Sequence, residues 1–578
     1  MTRLKALTLE IWILTKGYWA SEERWAARAF LLSIVAFNLG LVGVNILQNK
    51  ANGALFTTLQ QRDAAGFYRA FGVVVALVFL YLTVATLRVV LDQTLQLRWR
   101  RWLTERYVTC WLGEHAFYRM RFAKRVDNPD QRISEDVRLY IERTMALGLG
   151  VLNALATLTS FAALLWSLSG SLVLPVNGVT ITIPGYLLWV AVLYSGVGSV
   201  TAHAIGRPLI RLNNRQQEVE ADFRFGLVRL REEAEGIALY GGEAQERGIA
   251  LRRFQALYDN VKRIIVRSNQ YLFFQLLCSQ FPSWVALLIA SPRYFSGAIQ
   301  LGVLIQTANA FERVNEALSW FIGSYTAFAE WRATADRLTQ LSAEIEREKA
   351  AERGLRTETA AQDALEFQDV AVSLPDGAPM LDPVTLRFEA HEPVLLKGPS
   401  GNGKSTLFRV VAGLWPFATG RIRFPAHART LFLPERPYMP IGTLREALWF
   451  PAPPAPDRDA DARAALASVG LAALGPRLDE EAAWALALSV GEQQRLAIVR
   501  ALLLKPDWLF LDEVTSATDA VEEARLYRTI ASALPATTVI SIGNRDSLEA
   551  HHRRVIAVER LAGRPGRLVD RAVARHEA

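Results

Sequence analysis

The sequence predicts an α-helical membrane domain of six spans followed by a soluble α/β domain built around a phosphate-binding loop. Three observations carry that prediction. Six apolar stretches in the first 320 residues approach the ~20 residues that a spanning helix requires. The connections between them alternate, long and charged on one side, short or poor in charge on the other. Beyond residue 390, "VLLKGPSGNGKST" reads as a buried strand entering a glycine loop that runs into a lysine and a hydroxyl side chain.

Composition narrows the class. Of 578 residues, 51% are hydrophobic, and these concentrate in the first two thirds of the chain, whereas the last third has an ordinary globular mixture. A net charge of +8 taken alone is compatible with a nucleic-acid partner. Its distribution argues otherwise, because the basic residues crowd the loops that flank alternate apolar stretches, as at a membrane surface. The six apolar stretches exclude a soluble protein acting on nucleic acid. The two cysteines, Cys110 and Cys278, are too few and too far apart for a disulfide framework and read as small hydrophobes.

Residues 1–26, with Trp12, Tyr18, Trp19 and Trp25, form an amphipathic segment expected to lie as a helix along the headgroup layer. No cleavable signal peptide is expected. Residues 27–333 form the membrane domain, with spans near 30–48, 70–91, 147–168, 185–205, 271–291 and 298–320. "SGSLVLPVNGVTITIPG" (169–185) carries no charge, whereas "RWRRWLTERY" (98–107) and "RLREEAEGIALYGGEAQER" (229–247) are rich in it. The positive-inside rule therefore places the amino terminus, both long loops and the carboxyl half in the cytoplasm.

Polar residues inside the spans add a functional hint. Asn38 and Asn45, seven residues apart, share one helical face. The sixth stretch carries Gln306, Asn309, Arg313 and Glu316 at helical spacing, with Glu312 beside them. A charge at mid-bilayer costs at least about 2.5–3.5 kcal/mol, so it should face protein or water. These residues read as the lining of a hydrophilic cavity. Interhelical hydrogen bonding, or a sixth helix whose lower half lies in the cytosol, is the alternative.

Residues 334–362, charged and rich in alanine and glutamate, read as a linker to an ATPase domain over 363–578. In its phosphate loop, Gly398, Pro399, Ser400, Gly401, Asn402 and Gly403 let backbone N–H groups converge on phosphates, and Thr406 follows within the helix. Lys404 meets the terminal oxygens of ATP and Ser405 ligates Mg²⁺. "WLFLDE" (508–513) is a strand ending in Asp512, suited to an outer Mg²⁺ contact, and Glu513, suited to the general base that orients the attacking water.

Between these two elements, "LSVGEQQR" (488–495) resembles the signature motif of ATP-binding cassette proteins, and "SATD" (516–519) resembles the D-loop that follows it. The resemblance implies that Ser489, Gly491, Glu492 and Asp519 help close ATP held by a second subunit, so that a homodimer shares two ATP sites. "YWASEERW" (18–25), "DNPDQRISEDV" (127–137), "LREEAEGIALYGGE" (230–243) and "LFLPERPYMPIGTLREAL" (431–448) are similar to the BacA-related bacterial transporters and, more distantly, to the peroxisomal subfamily D transporters. That similarity runs along nearly the whole chain. It implies an exporter-like membrane fold in the bacterial inner membrane and coupling contacts with the ATPase domain near Asn128–Asp136 and Glu232–Tyr240. It also implies a cargo of peptides or other hydrophilic compounds, taken up.

The chain departs from the family pattern in several places. Glu435 replaces a common glutamine, where it joins the catalytic and metal-facing set, and Asn544 replaces the switch histidine before Arg545. Leu374 stands where many relatives stack an aromatic on adenine, and Val490 where glycine is common. Two other readings stay open: a fatty acyl-CoA or lipid-like cargo, and a nucleotide-gated sensor or channel with weak ATPase, which Asn544 favours.

Overall fold

The computed structural model describes residues 15–123, 128–176, 179–350, 354–360, 363–399, 401–559 and 565–572. The chain divides into two compact units, Met1–Thr109 with Asn128–Ser342, and Cys110–Asp127 with Ala343–Ala578.

The first unit is a bundle of long helices. Among the described residues, five helical stretches are long and apolar enough to cross a membrane: Arg24–Gln60, Ala64–Phe122, Pro129–Ser169, Tyr186–Glu232 and Glu243–Phe295. The sixth expected span, 298–320, begins a 50-residue helix, Leu301–Ala350, that is not among the five. Gln306, Asn309, Glu312, Arg313 and Glu316 dilute its apolar content, so helicity there is supported by packing on neighbours. Leu304, Ala308, Phe311 and Val314 lie buried against Phe161, Tyr186, Ala286 and Ala290. Gly302 approaches the first helix so closely that a Cβ there would strike the carbonyl oxygen of Gly53.

The charged connections are continuations of the spans. Ala64–Leu112 holds 49 residues, about 70 Å at 1.5 Å per residue, more than twice the ~30 Å hydrocarbon core. The uncharged connection at 169–185 instead forms an antiparallel hairpin, Ser171–Val176 paired with Val179–Pro184.

Trp12, of the expected headgroup segment, lies outside the described residues, and Tyr18 of the same segment is buried with its ring stacked on Trp99 at 5.6 Å. Residues Asn128–Asp136, expected near the ATPase domain, are grouped with the first unit. Buried Asp136 accepts from Arg337 Nε at 2.7 Å and pairs with Arg132 at 3.3 Å. The segment that belongs to the ATPase unit is Cys110–Asp127, where the Phe122 ring meets Trp415 at 5.2 Å and Phe417 at 5.7 Å, edge-on. Glu232–Tyr240 ends in a short helix, Ala234–Tyr240, whose Leu239 and Tyr240 are 80% and 92% exposed.

In the second unit a six-stranded sheet runs in the order Arg567–Ala572, Arg554–Glu559, Val394–Lys397, Thr538–Ile542, Trp508–Asp512, Thr430–Leu433. The last five are parallel and the first is antiparallel to its neighbour. A four-stranded sheet, Leu355–Ala360, Ala418–Pro425, Ala364–Ser373 and Pro379–Glu389, completes the domain. The expected linker is partly continuous helix: Leu301–Ala350 runs through it, and the unit boundary falls between Ser342 and Ala343.

Candidate functional site

Sheet topology assembles the site. In open α/β sheets ligands bind beyond the carboxyl ends of the parallel strands. Here four adjacent strands end in register, with Leu396 opposite Ile542, Ile542 opposite Asp512, and Leu511 opposite Leu433. The residues that follow those ends are Gly398, Asn544, Glu513 and Glu435. Motifs that lie up to 146 residues apart (398 to 544) in the chain are thereby brought to one edge.

The phosphate loop leaves the strand Val394–Lys397 and enters the helix Lys404–Val411. Gly401 and Gly403 adopt left-handed φ of 83° and 89°, which turns the loop tightly enough for backbone N–H groups to face inward. Asn402 is buried and donates to the carbonyl oxygen of Val558 at 3.2 Å, which ties the loop to a neighbouring strand. Ser400 lies outside the described residues. Buried Lys404 folds back over the loop, donating to the carbonyl oxygens of Pro399, at 2.9 Å, and Gly398. Burial pushes its amine below the usual lysine range, opposed by the charges of Glu513 and Asp512.

Ser405 Oγ donates to Asp512 Oδ1 at 2.9 Å. Burial raises the Asp512 carboxyl, Ser405 and Arg409 lower it, and the Glu435 charge raises it, so Glu435 acts on the same locus. Glu513 has a left-handed φ of 50°, and its peptide N–H donates to the Ile542 carbonyl at 3.1 Å. The Asn544 amide donates to Glu513 Oε1 at 3.3 Å. Asn544 is thus within hydrogen-bond reach of the expected base.

Ser489 caps the helix Val490–Leu504, accepting from the Glu492 N–H while Glu492 accepts from the Ser489 N–H, a reciprocal capping box. Its oriented N-terminus, with Ser489 and Val490 exposed, is a surface for an anion. Gly491 faces the Ala517 carbonyl. Asp519 caps the next helix, Ala520–Ala533, through the Glu522 N–H at 2.8 Å. Leu374 lies in a tight turn closed by Gly377 N–H to its carbonyl at 2.9 Å.

The sequence reading missed the residues that hold these parts together. Fully buried Gln494 donates to the Glu435 carbonyl and to Ser516 Oγ, both at 3.0 Å, and accepts from the Ala517 N–H at 3.2 Å. Its signal was available, as the second glutamine of "GEQQR". Arg545 donates to the carbonyls of Thr518 and Ser516 at 2.7 and 3.1 Å and pairs with buried Glu523 at 3.3 Å.

The membrane unit holds a cavity of about 310 Å³ lined by Asn38, Asn45, Arg88, Asn153, Arg313 and Glu316 among others. Arg313 pairs with Glu316 at 3.0 Å, and Arg88 donates to Asn38 Oδ1 at 2.9 Å. Asn38, Asn45, Arg313 and Glu316 come together as one lining. Gln306, Asn309 and Glu312 do not join it: the Gln306 carbonyl accepts from Asn49 at 3.3 Å, and Glu312 accepts from Ser283 at 2.8 Å. Arg88, a lone charge in the apolar "VATLRVVL", and Asn153 were among the members missed.

Comparison with known proteins places both parts of the chain. The model of ABC transporter transmembrane region 2 matches residues 14–295, and that of the ABC transporter ATPase matches 381–516. The inner membrane ABC transporter ATP-binding protein YddA of Escherichia coli is 31% identical over 542 residues, 93% of this chain and 95% of that protein. ABC transporter D family member 2, chloroplastic, of Arabidopsis thaliana is 30% identical over 637 residues, 96% of this chain and 87% of that one. A bacterial Atm1-family ABC exporter solved with ATP bound shares the fold, with a TM-score of 0.72 over 94% of each chain at 18% identity. The chain belongs to the ABC transporter family: it is a half-transporter, homologous to D-subfamily members, whose fused ATPase domain couples ATP hydrolysis to transport.

Proposed function

We propose that two copies of this chain form a transporter of peptides or other hydrophilic compounds in a bacterial inner membrane, in the direction of uptake. Each ATP is held between the phosphate loop of one copy and the Ser489 helix of the other. Lys404 contacts the terminal phosphate in place of the loop carbonyls it now reaches. Ser405 and Asp512 are the donors for Mg²⁺, which would neutralise phosphate charge. When bound with ATP, the ion would take its remaining oxygens from phosphate and water. Glu513 orients the attacking water, with Asn544 steadying its carboxylate and Glu435 bordering the metal site.

The observation that carries the cargo assignment is the polar cavity among the spans. Its test is solvent access coupled to nucleotide. In full-length protein with Cys110 and Cys278 replaced, Asn45→Cys and Asn153→Cys should react with membrane-impermeant thiol reagents, and their rates should change when ATP is trapped. Leu82→Cys and Val200→Cys, at exposed apolar positions that do not line this cavity, should stay inert. Equal reactivity at all four positions, or none at the first two, refutes a hydrophilic path. Uptake is read by comparing ATP-driven accumulation in inverted and right-side-out vesicles.

A second reading, an acyl-CoA or similar cargo with a polyanionic head, is favoured by a different feature. A larger cavity of about 650 Å³ between the helices Tyr186–Glu232 and Glu243–Gln280 is lined by Arg211, Lys262, Arg263 and Arg267, with one carboxylate, Asp259, beside Leu212 and Val266. Selective ATPase stimulation by an acyl-CoA over the matching free fatty acid would establish it.

A further inference from the structure

The 310 Å³ cavity among the spans has an unequal inventory of hydrogen-bonding groups. Its only carboxylate, Glu316, is already paired with Arg313 at 3.0 Å, and that pair is formally neutral. Arg88 is left as a second cation. Its Nη1 donates to the neutral amide oxygen of Asn38 at 2.9 Å, and its buried Nε has no partner. Asn38 is itself 1% exposed, and its amide nitrogen is likewise buried without a partner. Asn45, Asn153, Thr157 and the Tyr81 hydroxyl add further donors around the same space. Asp92, one helical turn beyond Arg88, forms no ion pair with it and does not line the cavity, and its own Oδ1 is buried without a hydrogen-bond partner.

Uncompensated donors are expensive where water is scarce, and a guanidinium that meets only a neutral amide more so. The group that would satisfy Arg88 and Asn38 together is an anion with oxygens in a plane or tetrahedron, because a guanidinium fork matches carboxylate and phosphate geometry. A volume of this size lies at the lower limit of ligand pockets, ~300 Å³. It suits a terminal group of the cargo with a few neighbouring atoms, against a wall of Leu41, Val89 and Trp320.

We propose that this cavity is a recognition site for an anionic group, a carboxylate or phosphate carried by the cargo, bound by Arg88 and Asn38. The inference rests on reading the cavity as part of the hydrophilic path and adds the charge of what is selected there.

The test reads the sign of the local potential. Thr157→Cys, a lining position, is introduced in full-length protein lacking Cys110 and Cys278 and reconstituted in phosphatidylcholine nanodiscs. Labelling rates are measured with anionic sulfonatoethyl methanethiosulfonate and cationic trimethylammonioethyl methanethiosulfonate, and their ratio is normalised to that of a free thiol. An anion site should favour the anionic reagent by about tenfold or more. Adding Arg88→Gln should return the ratio to near the free-thiol value, and Arg88→Lys should preserve most of it.

Millimolar triglycine should slow labelling where triglycine amide does not, which identifies a soluble anion. Protection that instead requires phosphatidylglycerol in the bilayer identifies a lipid headgroup. Either supports the site. No charge preference, a preference that survives Arg88→Gln, or no protection by any anion overturns the proposal while leaving a wet cavity intact. Failure of both reagents to react removes the hydrophilic path and this inference with it.

Discussion

Asn544 is the position at which the hydrolytic chemistry can be questioned most directly. Its amide donates to the Glu513 carboxylate at 3.3 Å. Hydrogen bonds to charged groups contribute about 1.5–3 kcal/mol, and a separation beyond the usual ~2.9–3.0 Å points to the lower end of that range. A loss of about 1.5 kcal/mol of transition-state stabilisation corresponds to roughly tenfold in rate. Asn544→Ala is therefore expected to slow ATP turnover about tenfold with little change in ATP affinity. Asn544→His restores a donor and adds one that can carry charge, which is about twice as strong when ionised, so turnover should rise severalfold above the parent. Steady-state phosphate release from full-length protein in nanodiscs, with nucleotide affinity measured separately, reads both. Because the Glu435 charge bears on Asp512, the series is repeated in Glu435→Gln. Parental turnover in Asn544→Ala would refute the positioning role. Asn544→His that is neutral or harmful in both backgrounds would show that Asn544 does not stand in for a switch histidine, and the weak-ATPase sensor reading would lose its support.

Three further outcomes follow from the same geometry. Lys404→Ala should weaken ATP binding and Glu513→Gln should trap an ATP-loaded dimer with little hydrolysis; parental turnover in Glu513→Gln would remove it as the base. Arg545→Ala leaves Glu523, whose residue exposure is only 1%, without its cation, and should destabilise the ATPase domain by about 2 kcal/mol, below the 3–5 of a fully buried pair because Arg545 is partly exposed. Adding Glu523→Gln should recover part of that melting temperature, and no recovery would refute the charge argument. Burial holds the His552 imidazole at about 4, down from the ordinary 6.5, with Leu548 accepting from one ring nitrogen at 2.7 Å and Ser541 bonded to the other at 2.8 Å. The unfolded chain binds the extra proton between those values, so stability is full above pH ~6.5 and falls as pH drops toward ~4, by about 3 kcal/mol for this residue. His552→Gln should flatten that part of the denaturation profile, and an unchanged pH dependence would refute the assignment.

The parts of this protein that could be read without coordinates are those whose physics is contiguous in the chain. A phosphate loop needs its glycines, lysine and serine in one run, so 398–406 announces the site, and Ser489 announces a helix cap through Glu492 three residues on. Apolar length likewise announces the six stretches, the sixth too diluted by Gln306, Asn309, Glu312, Arg313 and Glu316 to stand among the five most apolar helices, while its apolar face packs on Phe161 and Ala286, distant in sequence. Periodicity placed Asn38 and Asn45 on one face, but not the partner that face would meet. Arg88 meets Asn38 because two helices settle at one rotation and register, and many small contacts select these jointly. The same holds for Asp136, which the family resemblance placed in a coupling segment and which pairs with Arg337, 201 positions away. It holds for Phe122, whose ring finds Trp415 and Phe417. Local order follows from each residue's few nearest neighbours, while the charge of the cavity and the segment joined to the ATPase unit were settled only when distant surfaces packed.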